Sequence, residues 1–342
     1  MVAALIQQFD FSIFPSLAFL FGIAAQFRAM DGETSLRRLV GILENKVGVV
    51  YAVFLVAGLF SPFVLNDVVI IILTPVVVKY ARQFRVDPAP LLVAEITMVN
   101  VASSLTPFGN PQNILLWTSS GASFSRFVAG TWLPLLISAL VTALALFGLS
   151  RRTGGSREIS TSAGSVIPAA YLALVAVTIF LSDLSGLPVY LSLGAAFALG
   201  FVFTFRSLRE VGRAFDVRSL LTLYAFVGSV SVAALALKPA LLPFVRPVAQ
   251  GEQPYSALFF GVASNFISNV PATQLVLSIS RVTPAVASQT AVAAGLAGNI
   301  SPVASFANIL ALQIARRAGV PIRKTVALQF VVGVLSFLPA FL

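Results

Sequence analysis

The sequence predicts an all-α polytopic membrane protein arranged as an inverted repeat, with two re-entrant helical hairpins and two broken transmembrane helices. Three observations predict it. Hydrophobic residues fill 58% of the 342 positions and charged residues only 10%, at a mean hydropathy of +0.96, an apolar excess that a water-soluble chain does not need. The basic residues behind the net charge of +10 gather in short loops between apolar runs, the pattern of cytoplasmic loops. Two stretches, from Asn66-Asp67 to Asn113 and from Ser268-Asn269 to Asn308, read as versions of one another. Both place prolines and polar residues where hydrocarbon should forbid them.

The elements follow in order. A span at 11–27 comes first, then a surface linker from Arg28 to Lys46. No basic segment precedes the first apolar run, so a cleaved signal peptide is not expected. Residues 47–79 begin and end beside cytoplasmic charge. As one helix they would measure roughly 50 Å, while the arms 47–60 and 68–79 would measure roughly 21 and 18 Å, too long for one crossing and too short for two. A hairpin with its tip at Ser61 to Asp67 fits both lengths. Residues 88–117 form a span broken at 103–111, and 127–149 a further span that closes the first repeat, 1–149. The polar run Arg151-Arg152-Thr153-Gly154-Gly155-Ser156-Arg157 marks a cytoplasmic joint at 150–165.

The second repeat, 166–342, starts with two spans at 166–182 and 187–205. A span at 219–237, a linker at 238–254, a hairpin at 255–281, a span at 286–315 broken at 298–305 and a last span at 325–341 then restate the first half. By length alone 255–281 could be one tilted helix of about 40 Å. Parity decides it: a single crossing would put Arg316, Arg317, Arg323 and Lys324 outside, whereas a hairpin with its tip at Ser268 to Pro271 returns them to the cytoplasm.

Unwound backbone at bilayer depth survives only where protein or a wet cavity satisfies it. Paired, interrupted segments in two halves are the trace of a secondary transporter whose site lies between repeats. Hairpin tips and helix breaks offer carbonyls to a cation and helix N-termini to an anion. Substrate is expected at Asn66, Asp67, Ser268, Asn269, Thr106 and Ser301, the last two just before Pro107 and Pro302. Ion coupling is expected at Asn66, Asp67, Ser104, Gly109, Asn113, Asn269, Gly298, Asn308 and Glu95. Any one of these residues could equally be interhelical glue; their recurrence in both halves favours function. Asp67 carries most weight, because a carboxylate inside the bilayer is costly and functional by default. With no histidine and no cysteine in the chain, disulfides and thiolate metal sites are excluded and proton chemistry falls to a carboxylate.

The string Asn66-Asp67, Thr74-Pro75 and Thr106-Pro107-Phe108-Gly109-Asn110-Pro111-Gln112-Asn113, with Ser268-Asn269-Val270-Pro271, Asn299, Pro302 and Asn308 in the second half, resembles the ion transporter superfamily. That group includes the arsenical-pump membrane subunit, NhaD-type antiporters, citrate-transporter-like permeases and divalent anion/sodium symporters. The resemblance covers nearly the whole chain and implies a homodimer in which a scaffold holds two transport domains moving by an elevator-like displacement. In the symporter branch, Ser-Asn-Thr tips hold carboxylate and sodium. Here the tips are Leu65-Asn66-Asp67 and Ser268-Asn269-Val270, so the asparagines are kept and the threonines are not. An acid at the tip opposes a dicarboxylate. Family members also place two more spans before the one at 11–27.

The expected function is secondary active transport of a small anion or oxyacid, arsenite-like, carboxylate or inorganic, coupled to sodium or protons, by a multi-pass protein of the plasma membrane. No cofactor, no resident metal beyond sodium at the tips, and no nucleic-acid partner is expected; the remaining partner is membrane lipid. The alternative is a sodium/proton antiporter with Asp67 as the exchange site. A channel lacks its rings of like charge, and an intramembrane hydrolase would have only Ser or Asp as nucleophile.

Overall fold

The computed structural model describes residues 13–150, 167–204 and 208–342. The joint at 150–165 lies outside the described residues from position 151 onward. Among the described residues there is no strand. The first half runs α1 (Ile13–Ala29), α2 (Gly32–Val47), α3 (Val49–Phe60), α4 (Asn66–Phe84), α5 (Pro88–Ser103), α6 (Pro111–Ser120) and α7 (Phe124–Ser150). Then come α8 (Ile167–Leu184), α9 (Val189–Thr204) and the short α10 (Leu208–Ala214). The second half runs α11 (Val217–Ala236), α12 (Lys238–Ala249), α13 (Tyr255–Ile267), α14 (Asn269–Ile279), α15 (Pro284–Ala297), α16 (Phe306–Arg317) and α17 (Arg323–Phe337), with 3-10 turns at Pro302–Ala304 and Leu338–Phe341. The order of α1 to α7 recurs in α11 to α17.

Local chemistry sets the boundaries. Proline stands in the first turn of α5, α6 and α15, where its missing N–H costs nothing and its fixed φ suits a helix start. Asp87 caps α5 by accepting from Ala89 N at 3.0 Å. Thr283 caps α15 by accepting from Val286 N at 3.4 Å. Gly48, at φ +80°, separates α2 from α3, and Gly121, at φ +64°, ends α6.

Among the described residues, only α7 and the stretch Arg323–Phe341 are long and apolar enough to cross a membrane unaided. The arms α3, α5 and α13 are apolar but shorter, as half-helices that meet another chain segment at depth must be. The two stretches read as linkers are helical in part. α2 buries Ser35, Leu36, Val40, Gly41 and Glu44 on one face, and Glu44 accepts from the Tyr80 hydroxyl of α4. α12 holds Pro243 and Pro247 inside the helix and turns by 108° from α11. Both were hidden because their outer faces are too polar, or too rich in proline, to pass for a span.

The hairpins turn differently. Tip one spends residues 61–65 between α3 and α4, whereas tip two turns on Ser268 alone, at φ 68° and ψ 159°. Only glycine occupies that region freely, and such a residue stores on the order of 1–3 kcal/mol. Ser268→Gly recovers that strain against a backbone entropy cost of about 0.5–1 kcal/mol. It is expected to raise the melting temperature of the purified protein by about 2 °C, and Ser268→Val to lower it. Equal melting of all three chains would show an unstrained tip.

Candidate functional site

Both helix breaks are held by the same device. Asn113 Nδ2 donates to the carbonyls of Ser103 at 3.0 Å and Thr106 at 2.8 Å. Asn308 Nδ2 donates to the carbonyls of Gly298 at 2.6 Å and Ser301 at 2.9 Å. In each half the acceptors lie 10 and 7 residues before the asparagine. A broken helix leaves its last carbonyls unpaired, and one amide from the next half-helix closes two of them.

The breaks are then tied to the tip and to each other. Asn66 N donates to Gly109 O at 2.8 Å, and the Thr106 hydroxyl donates to Pro62 O, so tip one is fixed to break one. Gly109 allows this approach: a Cβ there would lie 2.6 Å from Ser61 O and Ser103 Cα. Asn100 Nδ2 reaches Asn308 Oδ1 at 2.8 Å and Asn299 Oδ1 at 3.1 Å, joining the two broken helices. Asn299 Nδ2 in turn donates to Ser336 Oγ of α17 at 2.9 Å.

A cavity of about 560 Å³ opens where these parts meet α1 and α11. The first residues of α4, α6, α14 and α16, namely Asn66, Pro111, Asn269 and Phe306, all line it. Each helix N-terminus carries roughly +0.5 of an elementary charge, so four of them turn a positive backbone field toward the cavity. Asp67 is the one charged residue among those that line it, and neither Lys nor Arg does so among the described residues. Asp67 also borders a small side pocket with Arg28 and Asp216.

Of the residues expected from sequence, Asn66, Asp67, Ser268 and Asn269 line the cavity. Thr106, Ser301, Gly109, Gly298, Asn113 and Asn308 sit behind it, in the bonds that shape the breaks. Ser104 is buried and donates to Asn100 O at 2.8 Å. Glu95 is fully buried away from the cavity, where Oε1 accepts from Thr74 Oγ1 at 2.7 Å.

Asn110 and Ser305 were not among the residues expected at the site. They are the residues just before α6 and α16, line the cavity, are each 1% exposed, and their side chains cap nothing. Both amide atoms of Asn110, the Ser305 hydroxyl and Asn269 Nδ2 have no protein partner. Their signal was positional: each stands three residues before the clasp asparagine of its half.

A family described as citrate transporter matches residues 1–304. The chain belongs to the citrate transporter family. Within that family it is similar to the inner membrane protein YbiR of Escherichia coli K12, at 31% identity over 274 residues, covering 76% of this chain and 68% of YbiR. A shorter stretch of 88 residues, 26% of the chain, is 35% identical to 18% of the silicon efflux transporter LSI3 of Oryza sativa subsp. japonica. The fold resembles the YdaH transporter of Alcanivorax borkumensis, at a TM-score of 0.54 and 15% identity over 99% of this chain and 85% of that one. This citrate transporter family member is therefore an integral membrane secondary transporter of the anion type and not an enzyme.

Proposed function

We propose that this protein is a secondary active carrier for a small anion or oxyacid, coupled through Asp67 to a proton or sodium ion. The observation that carries the reading is the meeting of four helix N-termini on a cavity whose one charged lining residue, among the described residues, is an acid. An anion is favoured there only once the Asp67 charge has been neutralised by a proton or balanced by a cation. Loading of the two solutes is thereby linked.

The reading includes an elevator-like displacement. Hairpin one, both breaks and α17 form one hydrogen-bonded body through Asn66, Thr106, Asn100 and Asn299. α1, α8 and α9 form another, in which Gln26 accepts from the Tyr171 hydroxyl at 2.5 Å and donates to Phe197 O at 3.0 Å. Gln274 of α14 donates to Ser231 of α11 at 2.7 Å, which ties hairpin two to α11.

The test is uptake into proteoliposomes of inorganic oxyacids and of mono-, di- and tricarboxylates under imposed proton or sodium gradients. Accumulation against a gradient that collapses with the matching ionophore is expected for one ion. No accumulation of any anion under either gradient overturns the reading.

A further inference from the structure

The polar and apolar parts of the cavity are segregated. Among the described residues that line the cavity, the buried side-chain atoms without a protein partner belong to Asn110, Asn269 and Ser305, each 1% exposed, at the half-helix starts. Of the other polar lining residues, Asn66 accepts through Oδ1 from Asp67 N at 2.9 Å, the Thr222 hydroxyl donates to Arg218 O at 2.8 Å, and Asp67 brings the charge. The remaining wall is apolar, with Phe21, Leu223, Phe266, Val303, Phe306 and Ile309. Phe266 is 78% exposed and Phe306 41%, and both line the cavity beside the buried polar atoms.

We infer that the cavity takes an amphiphilic monocarboxylate, with one carboxylate at Asn110, Asn269 and Ser305 and one apolar body along Phe21, Leu223, Phe266 and Phe306. This rests on the anion-carrier reading and narrows it. Asn110 Nδ2, Asn269 Nδ2 and the Ser305 hydroxyl supply donors for one carboxylate among four helix N-termini. A second or third carboxylate, as in citrate, would lie on the apolar wall without arginine or lysine, and an unpaired buried charge is heavily penalised. An inorganic oxyacid, comparable to a few waters at about 30 Å³ each, would occupy the polar end and leave most of the 560 Å³ unused. Ligand sites of a few hundred cubic ångströms lined mainly by apolar groups suit organic molecules.

Calorimetric titration of the purified full chain with acetate, butanoate, hexanoate and octanoate, and with citrate and arsenite, tests this. Each added methylene is expected to tighten binding about three- to fourfold, with citrate and arsenite weaker than octanoate. Ser305→Ala should weaken the whole series by a common factor. Phe266→Ser, a change at an exposed position, should leave the melting temperature unchanged and flatten the dependence on chain length. Citrate or arsenite binding at least as tightly as octanoate, with no chain-length dependence, overturns the inference and leaves the anion-carrier reading standing. A chain-length dependence that neither variant alters also overturns it, since the alkanoates would then be held by detergent or a lipid-facing surface. If no anion of any class binds, both readings fall.

Discussion

Asp67→Asn is expected to abolish accumulation of anion against a gradient while preserving anion exchange. The amide keeps the size of the side chain and removes its charge and its titration. An ionised Asp67 a few ångströms from a bound anion opposes it by about 1–2 kcal/mol in a partly wet cavity, so the variant should bind anion roughly tenfold more tightly. Wild-type uptake should fall as pH rises and Asp67 loses its proton, because the ionised acid repels the anion; the variant's uptake should be flat. Glu95→Gln should have little effect on either, since Glu95 bonds to Thr74 away from the cavity. Uptake by Asp67→Asn with an unaltered pH profile and full accumulation would remove Asp67 from coupling. Loss of sodium/proton exchange with no anion flux in the wild type would favour the antiporter alternative.

Asn113→Ala is expected to cost more folded protein than Asn308→Ala. It strands the carbonyls of Ser103 and Thr106, which Asn113 Nδ2 serves. Each buried polar group left unpaired costs about 1–3 kcal/mol, so a loss of about 2–4 kcal/mol is expected. Asn308→Ala removes bonds but strands no group, because Ser301 O keeps Ala304 N at 3.2 Å, Gly298 O keeps Asn100 Nδ2 at 3.4 Å and Asn100 Nδ2 keeps Asn299 Oδ1 at 3.1 Å. It should cost about 1–2 kcal/mol. Thermal melting in detergent with membrane yield measures both. Variants that melt like the wild type yet fail to transport would move these asparagines from the frame of the site into its chemistry.

The hairpins and breaks were legible because Pro107, Pro302, Asn66 and Asn269 interrupt apolar runs of defined length, and helix length against bilayer thickness leaves few solutions. The task of each polar residue was less legible. Asn113 and Asn308 look as exposed to a site as Asn66 does on a linear chain, but their amides turn back onto carbonyls 7 and 10 residues earlier. Asn110 and Ser305 face the cavity because α6 and α16 start one residue later and leave their caps unused. Side-chain direction at a helix start depends on backbone angles that spacing does not encode. Glu95 was placed with the ions on cost alone, which says that a buried acid is important without saying what it faces.

The cavity draws its positive field from backbone dipoles and its one formal charge from Asp67. Moving a whole charge through a potential of 100 mV takes about 2.3 kcal/mol. Under proton coupling, the empty carrier with Asp67 ionised would bear one negative charge, and the carrier loaded with one proton and one monovalent anion would also bear one. Outward and return strokes would then move equal charge in opposite directions, so a complete cycle would draw no net current. Membrane voltage would set the pace of each stroke and contribute nothing to the concentration ratio reached, which the pH difference alone would determine.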